Sequence, residues 1–155
     1  MSLKGIIENF LDRKELEGMN SYGVSTRIEK DCSFLRNEVA IEEAGSPYEL
    51  IVLEMVTPTL DVKSLTRFLM EAKRNLSDDG VLVFDFIEET RPMLTVAKKM
   101  ESWRGKEEEE VFCYTLIDIA SALTALGMKI NGLEKVGSLG EKQIVAIFAS
   151  KDISS

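Results

Sequence analysis

Glu54, Asp85 and Tyr114 are side chains able to take or give a proton at an acceptor, and no spacing singles out one of them. The chain contains no histidine. Histidine general bases, Ser-His and Cys-His nucleophile pairs and histidine-containing zinc sites are therefore excluded, which leaves proton chemistry to Asp, Glu, Lys, Tyr or Cys. The two cysteines, Cys32 and Cys113, form no CxxC pair and fit a reducing compartment better than a disulfide scaffold. The four glutamates at 107–110 suggest a metal at first sight. They lack the spacing to converge on one cation, however, and read as a solvated face.

The elements that must position these groups are legible as hydrophobic periodicity. Leu3, Ile6, Ile7, Phe10 and Leu11 recur at helical spacing behind Ser2, a cap residue, and ahead of Gly18, which predicts a helix over 2–17. Val24, Thr26 and Ile28 alternate, predicting a short strand that ends near Asp31. Residues 32–46 are mixed, a short helix or a loop. The run 48–56 is a buried strand closed by Thr57-Pro58-Thr59. A helix over 61–76 follows, capped by Asp61, with Val62, Leu65, Phe68, Leu69, Ala72 and Leu76 on one face and Ser77-Asp78-Asp79-Gly80 as its stop.

Residues 81–87 predict a second buried strand. A polar excursion runs from about 88 to 114 through Arg91-Pro92, a short helix around 93–100, Trp103 and the acidic run. Its place after a central strand is where lids occur, although a surface excursion anchored by Trp103 is the plainer reading. Thr115 and Asp118 resemble a capping box ahead of Leu116, Ile119, Ala120, Leu123 and Leu126, and Gly127 stops that helix. Strands over 128–136 and 143–149 form a hairpin across 137–142. This order predicts a three-layer α/β domain over 1–155, with a mainly parallel sheet and an antiparallel C-terminal hairpin strand.

Composition bounds the partners. A chain of 155 residues with 45% hydrophobic and 30% charged side chains can bury a true core. The net charge of −8 and a pI near 4.7 argue against nucleic acid, which needs a basic stripe to release counterions. No apolar run approaches the roughly 20 residues that span a bilayer, and the opening residues carry charge too early for a signal-peptide core. A cytoplasmic protein with a small-molecule or protein partner is expected. A homodimer would follow if an incomplete sheet left an edge for a second copy to cover.

The segment YELIVLEMV, a long helix, the turn LSDDG and the strand VLVFDF resemble the class I S-adenosylmethionine-dependent methyltransferases. So does the ending, in which TLIDIASALTALGMKINGLEKVG is followed by KQIVAIFASK; the likeness covers about 100 residues. The resemblance implies a Rossmann-like fold, S-adenosylmethionine as cofactor and a methyl acceptor of unknown class. It implies Asp31 and Cys32 at the acidic position that meets the adenine amino group. Glu54 and Met55 then stand at the strand edge that faces cofactor or substrate. The family's Gly-rich loop is not found: upstream of Tyr48, Gly5, Gly18 and Gly23 are isolated and Gly45 stands alone just before the strand.

Two functions remain open on these grounds, a methyltransferase and a non-catalytic methyltransferase-like binding or interaction module. A third reading likens YELIVLEMVTPTLDV to the phosphoacceptor strand of a receiver, with Glu54 in the acceptor's place. Asp31 lies only 23 residues before Glu54, too few for the elements that should separate a receiver's acidic pair from its acceptor. No G-x-G-x-x-G follows any strand, which argues against a dinucleotide oxidoreductase.

Overall fold

The computed structural model describes residues 3–11, 16, 18–26, 41, 43–90, 96–101 and 108–153. A five-stranded sheet in the order β1-β2-β3-β7-β6 forms the middle layer. Strands β1 (Ser21–Ser25), β2 (Tyr48–Glu54) and β3 (Leu76–Ile87) are parallel. Strand β7 (Lys142–Lys151) runs antiparallel to both β3 and β6 (Met128–Leu139). Strands β4 (Val96–Glu101) and β5 (Glu108–Cys113) make a separate two-stranded ribbon.

Among the described residues, helices α2 (Val62–Arg74) and α3 (Leu116–Ala125) cover one face and α1 (Leu3–Phe10) the other. Leu65, Phe68, Leu69 and Ala72 of α2 and Ile119 and Leu123 of α3 pack with Ile51, Leu53, Leu82, Phe84 and Ile147. On the opposite face Leu3, Ile6 and Ile7 of α1 meet Leu50, Val52, Val83 and Phe148. Strands enclosed on both sides must be apolar on both sides. This is why VLVFDF and YELIVLE lack the alternation of a half-exposed sheet.

Local signals set most boundaries as expected. Asp61 caps α2 by accepting from the Ser64 N–H at 2.8 Å, and Thr115 caps α3 by accepting from Asp118 at 3.1 Å. Past α3, Gly127 takes φ +74°, a left-handed backbone that suits glycine. The Ser64 backbone and hydroxyl hold the Asp61 carboxyl below its ordinary value of 3.8. A depressed folded-state pKa stabilises above the unfolded value and is lost as pH falls through the folded one. The melting-temperature deficit of Asp61→Ala should therefore be full at neutral pH and vanish in acid below about pH 4, read by thermal scans.

The structure departs from the sequence expectations at several places. Helix α1 closes at Phe10 among the described residues, not at 17, while Ser2 lies outside them. Strand β1 occupies Ser21–Ser25, beginning ahead of the expected alternation and pairing with β2 as far as Ser25 opposite Glu54, while residues 27–31 of the expected strand lie outside the described residues. Ser77-Asp78-Asp79-Gly80 belongs to β3 and does not stop α2. Asn75 ends that helix, its side-chain amide donating to the Glu71 carbonyl at 2.8 Å. The helix expected near 93–100 is strand β4, paired to β5 with Lys99 opposite Glu110, a distant pairing that local periodicity does not encode. The six-residue hairpin loop shrinks to Gly140-Glu141, because a register shift between Lys135 and Gly137 lets the ladder continue to Leu139–Lys142.

No helix among the described residues is long and apolar enough to cross a membrane.

Candidate functional site

The carboxyl ends of parallel strands are where an open α/β sheet holds its ligands. Here β1, β2 and β3 bring Ser25, Glu54 and Asp85 to that edge. Ser25 Oγ donates to Glu54 Oε1 at 2.6 Å, and the Met55 N–H donates to Asp85 Oδ1 at 2.6 Å. Thr26 Oγ1 donates to the Met55 carbonyl at 2.7 Å. Glu54 and Asp85 are each 1% exposed. Buried carboxylates are tolerated only when such donors meet them, so the group is a polar knot that ties the three strand ends together.

Met55 shapes the knot. It turns to φ +52°, which ends β2 two residues earlier than the apolar run suggests and aims its N–H at Asp85. Its side chain is fully buried, in one cluster with Leu3, Val111 and Cys113. Glu54 and Met55 thus stand at the expected end of β2, but with the glutamate engaged internally and the methionine in the core. Glu54 is therefore not a solvated strand end. Asp31 and Cys32 lie outside the described residues, so they are not brought together with this pair.

The described part of this edge shows no glycine-bordered cradle for S-adenosylmethionine. A bound cofactor needs backbone without Cβ atoms beside a parallel strand. Thr26 follows β1, the first parallel strand, and no glycine occurs between Gly23 and Gly45. The two carboxylates that could meet the ligand's hydroxyl or amino groups already have protein donors.

Tyr114 is also removed from acid-base work. Its phenol donates to the Leu60 carbonyl, and burial, reinforced by the Asp61 and Cys113 charges, raises its pKa well above the ordinary tyrosine value. A phenol held protonated in this way anchors the end of β5 against the segment before α2.

An open cleft of about 580 Å³ lies beyond β3 and beside the first turn of α3, lined by residues 88–90 and 115–118. That volume lies within the range that encloses small molecules. Glu89 lines the cleft while only 2% exposed. It accepts from Lys142 Nζ at 2.9 Å, and its N–H donates to the Tyr114 carbonyl. Sequence reasoning missed this place. The capping pair Thr115 and Asp118 marks one wall, but nothing in the spacing of Glu88-Glu89 says that the end of β3 faces it. Among the described residues no group of three acidic, cysteine or histidine side chains is arranged to hold a metal.

No protein-family model matches the chain, and no curated protein sequence matches it. Solved structures do. An S-adenosylmethionine-dependent methyltransferase from Methanosarcina mazei superposes with a TM-score of 0.66 at 13% identity, covering 99% of this chain and 100% of that one. One from Clostridium acetobutylicum gives 0.53 at 12% identity over 76% of this chain and 64% of its own. The glycopeptide N-methyltransferase MtfA, complexed with S-adenosyl-L-homocysteine, gives 0.53 at 10% over 76% and 60%. The chain spans less than two thirds of these last two. At such identities the likeness is one of fold.

Proposed function

We propose that this chain, which has the class I S-adenosylmethionine-dependent methyltransferase fold, is a methyltransferase-like binding module and not a working methyltransferase. The observation that carries this reading is the closed knot at the carboxyl edge. Glu54 and Asp85, each 1% exposed, are bound to Ser25 and the Met55 N–H where a cofactor would need open groups. The glycine-free stretch after β1 supports it, because a scaffold that has lost cofactor contacts keeps its core and loses its loop. A ligand seat at the cleft beyond β3 leaves the fold's binding edge in use. A cytoplasmic setting suits Cys113, a buried thiol outside any disulfide.

The second reading is an active methyltransferase of unknown acceptor, in which Asp31 and Cys32 hold the cofactor. Superposition over 99% of the chain on the Methanosarcina mazei enzyme favours it. The cofactor would supply a reactive sulfonium methyl group, leaving the protein to position the acceptor.

Calorimetric titration with S-adenosylmethionine and S-adenosylhomocysteine, on the natural chain and on Asp31→Ala, separates the two. The module reading expects no micromolar binding of either ligand by folded protein. Micromolar binding that weakens tenfold in the variant, about 1.4 kcal/mol, would establish the cofactor site and overturn it.

A further inference from the structure

We infer that the outward side of α2 is a docking surface for an acidic amphipathic helix of a partner protein. This surface faces away from the sheet, and its use does not depend on whether S-adenosylmethionine binds.

The inner side of α2 is fixed by Leu65, Phe68, Leu69 and Ala72, all buried against the sheet. Lys63, Arg67, Met70 and Arg74 follow at i, i+4, i+7 and i+11, so they line up opposite that side in one stripe about 16 Å long. All four are exposed, and Met70, at 53%, has cations on both sides of it along the stripe. The helix carries four cations and one carboxylate in a chain whose net charge is −8. It is a positive element on a negative molecule, and complementary potential there attracts an acidic partner that the rest of the surface repels.

Helix stability does not account for Lys63 and Arg67. Positive charge is unfavourable near a helix N-terminus, and like charges at i, i+4 repel. Lys63 nevertheless stands in the first turn, which holds no acidic residue. Both charges act on Asp61 at the cap, but its carboxylate already accepts from the Ser64 N–H. Neither cation has an ion pair among the described residues. At the other end of α2 the cations have local work: Lys73 donates to the Leu126 carbonyl, and Arg74 lies 3.9 Å from Glu71.

Apolar content decides among acidic partners. Val62, Met70 and Ile117 are three of the six large apolar side chains left exposed among the described residues, and all three stand on the layer formed by α2 and α3. The two helices are tied side by side, by Tyr114 to the Leu60 carbonyl ahead of their first turns and by Lys73 to the Leu126 carbonyl at their ends. A protein helix that mixes carboxylates with apolar side chains on one face meets both features of this layer. Nucleic acid would leave the apolar groups uncovered and be repelled by the net charge. A bilayer takes up a helix by its apolar face, and that of α2 is spent on the core.

The probe is a fluorescein-labelled, stapled helical peptide of about four turns with glutamates and leucines sharing one face. Its binding to the full chain is read by fluorescence anisotropy. Saturation is expected at micromolar concentration, weakening as salt is raised. The same peptide with lysine for every glutamate, or alanine for every leucine, should bind at least about tenfold more weakly. The double variant Lys63→Gln, Arg67→Gln should weaken the acidic peptide about tenfold and Met70→Ser severalfold. The melting temperature of the double variant should stay within about 2 °C of the natural chain.

No binding by the natural chain, full affinity in the glutamine double variant, or equal affinity for the lysine peptide would overturn the inference. Tighter binding of a single-stranded oligonucleotide or of phosphatidylserine vesicles than of the acidic peptide would overturn it too. A large fall in melting temperature in the double variant would assign the two cations to the fold and count against it in the same way. None of these results bears on the calorimetric test of the cofactor.

Discussion

Phe84→Ala should lower the unfolding free energy by about 3–5 kcal/mol, the range for deleting a large aromatic side chain from a packed core. Phe84 is fully buried in β3, the middle strand of five, opposite Leu53 of β2 and Ile147 of β7. Its ring belongs to the cluster beneath α2 and α3, so the cavity would open between the sheet and both helices. Strands held on both sides leave little room for collapse onto the void, which places the loss toward the upper part of the range. Urea melts of the variant and of Ile117→Ala measure this. The surface control should stay within about 0.5 kcal/mol of the natural chain. A loss at Phe84 of under about 1.5 kcal/mol would mean that the helices are not packed on β3 as described.

Phe84 also marks how far the fold was legible in the sequence. The runs 48–56 and 81–87 are apolar on both faces, and that pattern alone points to a sheet covered twice. Asp61 and Thr115 are cap residues whose chemistry is local, and both bond where the spacing places them. What failed to appear depends on partners distant in sequence. Strand β4 is a strand because 108–113 lies beside it, and β3 extends back to Leu76 because Tyr48 pairs there. Neither partner is visible in a window of a dozen residues.

The site divides along the same line. That Glu54 lies near the end of a strand was readable from YELIVLEMV, although the apolar run itself continues to Val56 and β2 stops at Glu54. That its carboxylate turns inward depends on Ser25, 29 residues earlier, and on Met55 adopting φ +52°, a backbone state no propensity assigns to methionine. The cleft is harder still to foresee. Its walls come from residues 88–90 and 115–118, separated by the excursion that carries the β4–β5 ribbon. The parallel bridge between Glu88 and Tyr114 joins the two ends of that excursion.

Lys142→Met tests whether that junction is held electrostatically. Removing one member of a buried ion pair takes a compensating charge from the other, a change that costs about 3–5 kcal/mol when both are fully enclosed and nothing else meets the charge. Glu89 is enclosed, with its side chain 1% exposed, but that of Lys142 is 17% exposed. Water can therefore reach part of the vacated site, and a loss of about 2–3 kcal/mol is expected. The double variant Glu89→Gln, Lys142→Met should recover most of it, since the charge that Lys142 met goes with the glutamate. A mutant cycle in urea reads the coupling. Additive losses would show that the two side chains are merely neighbours.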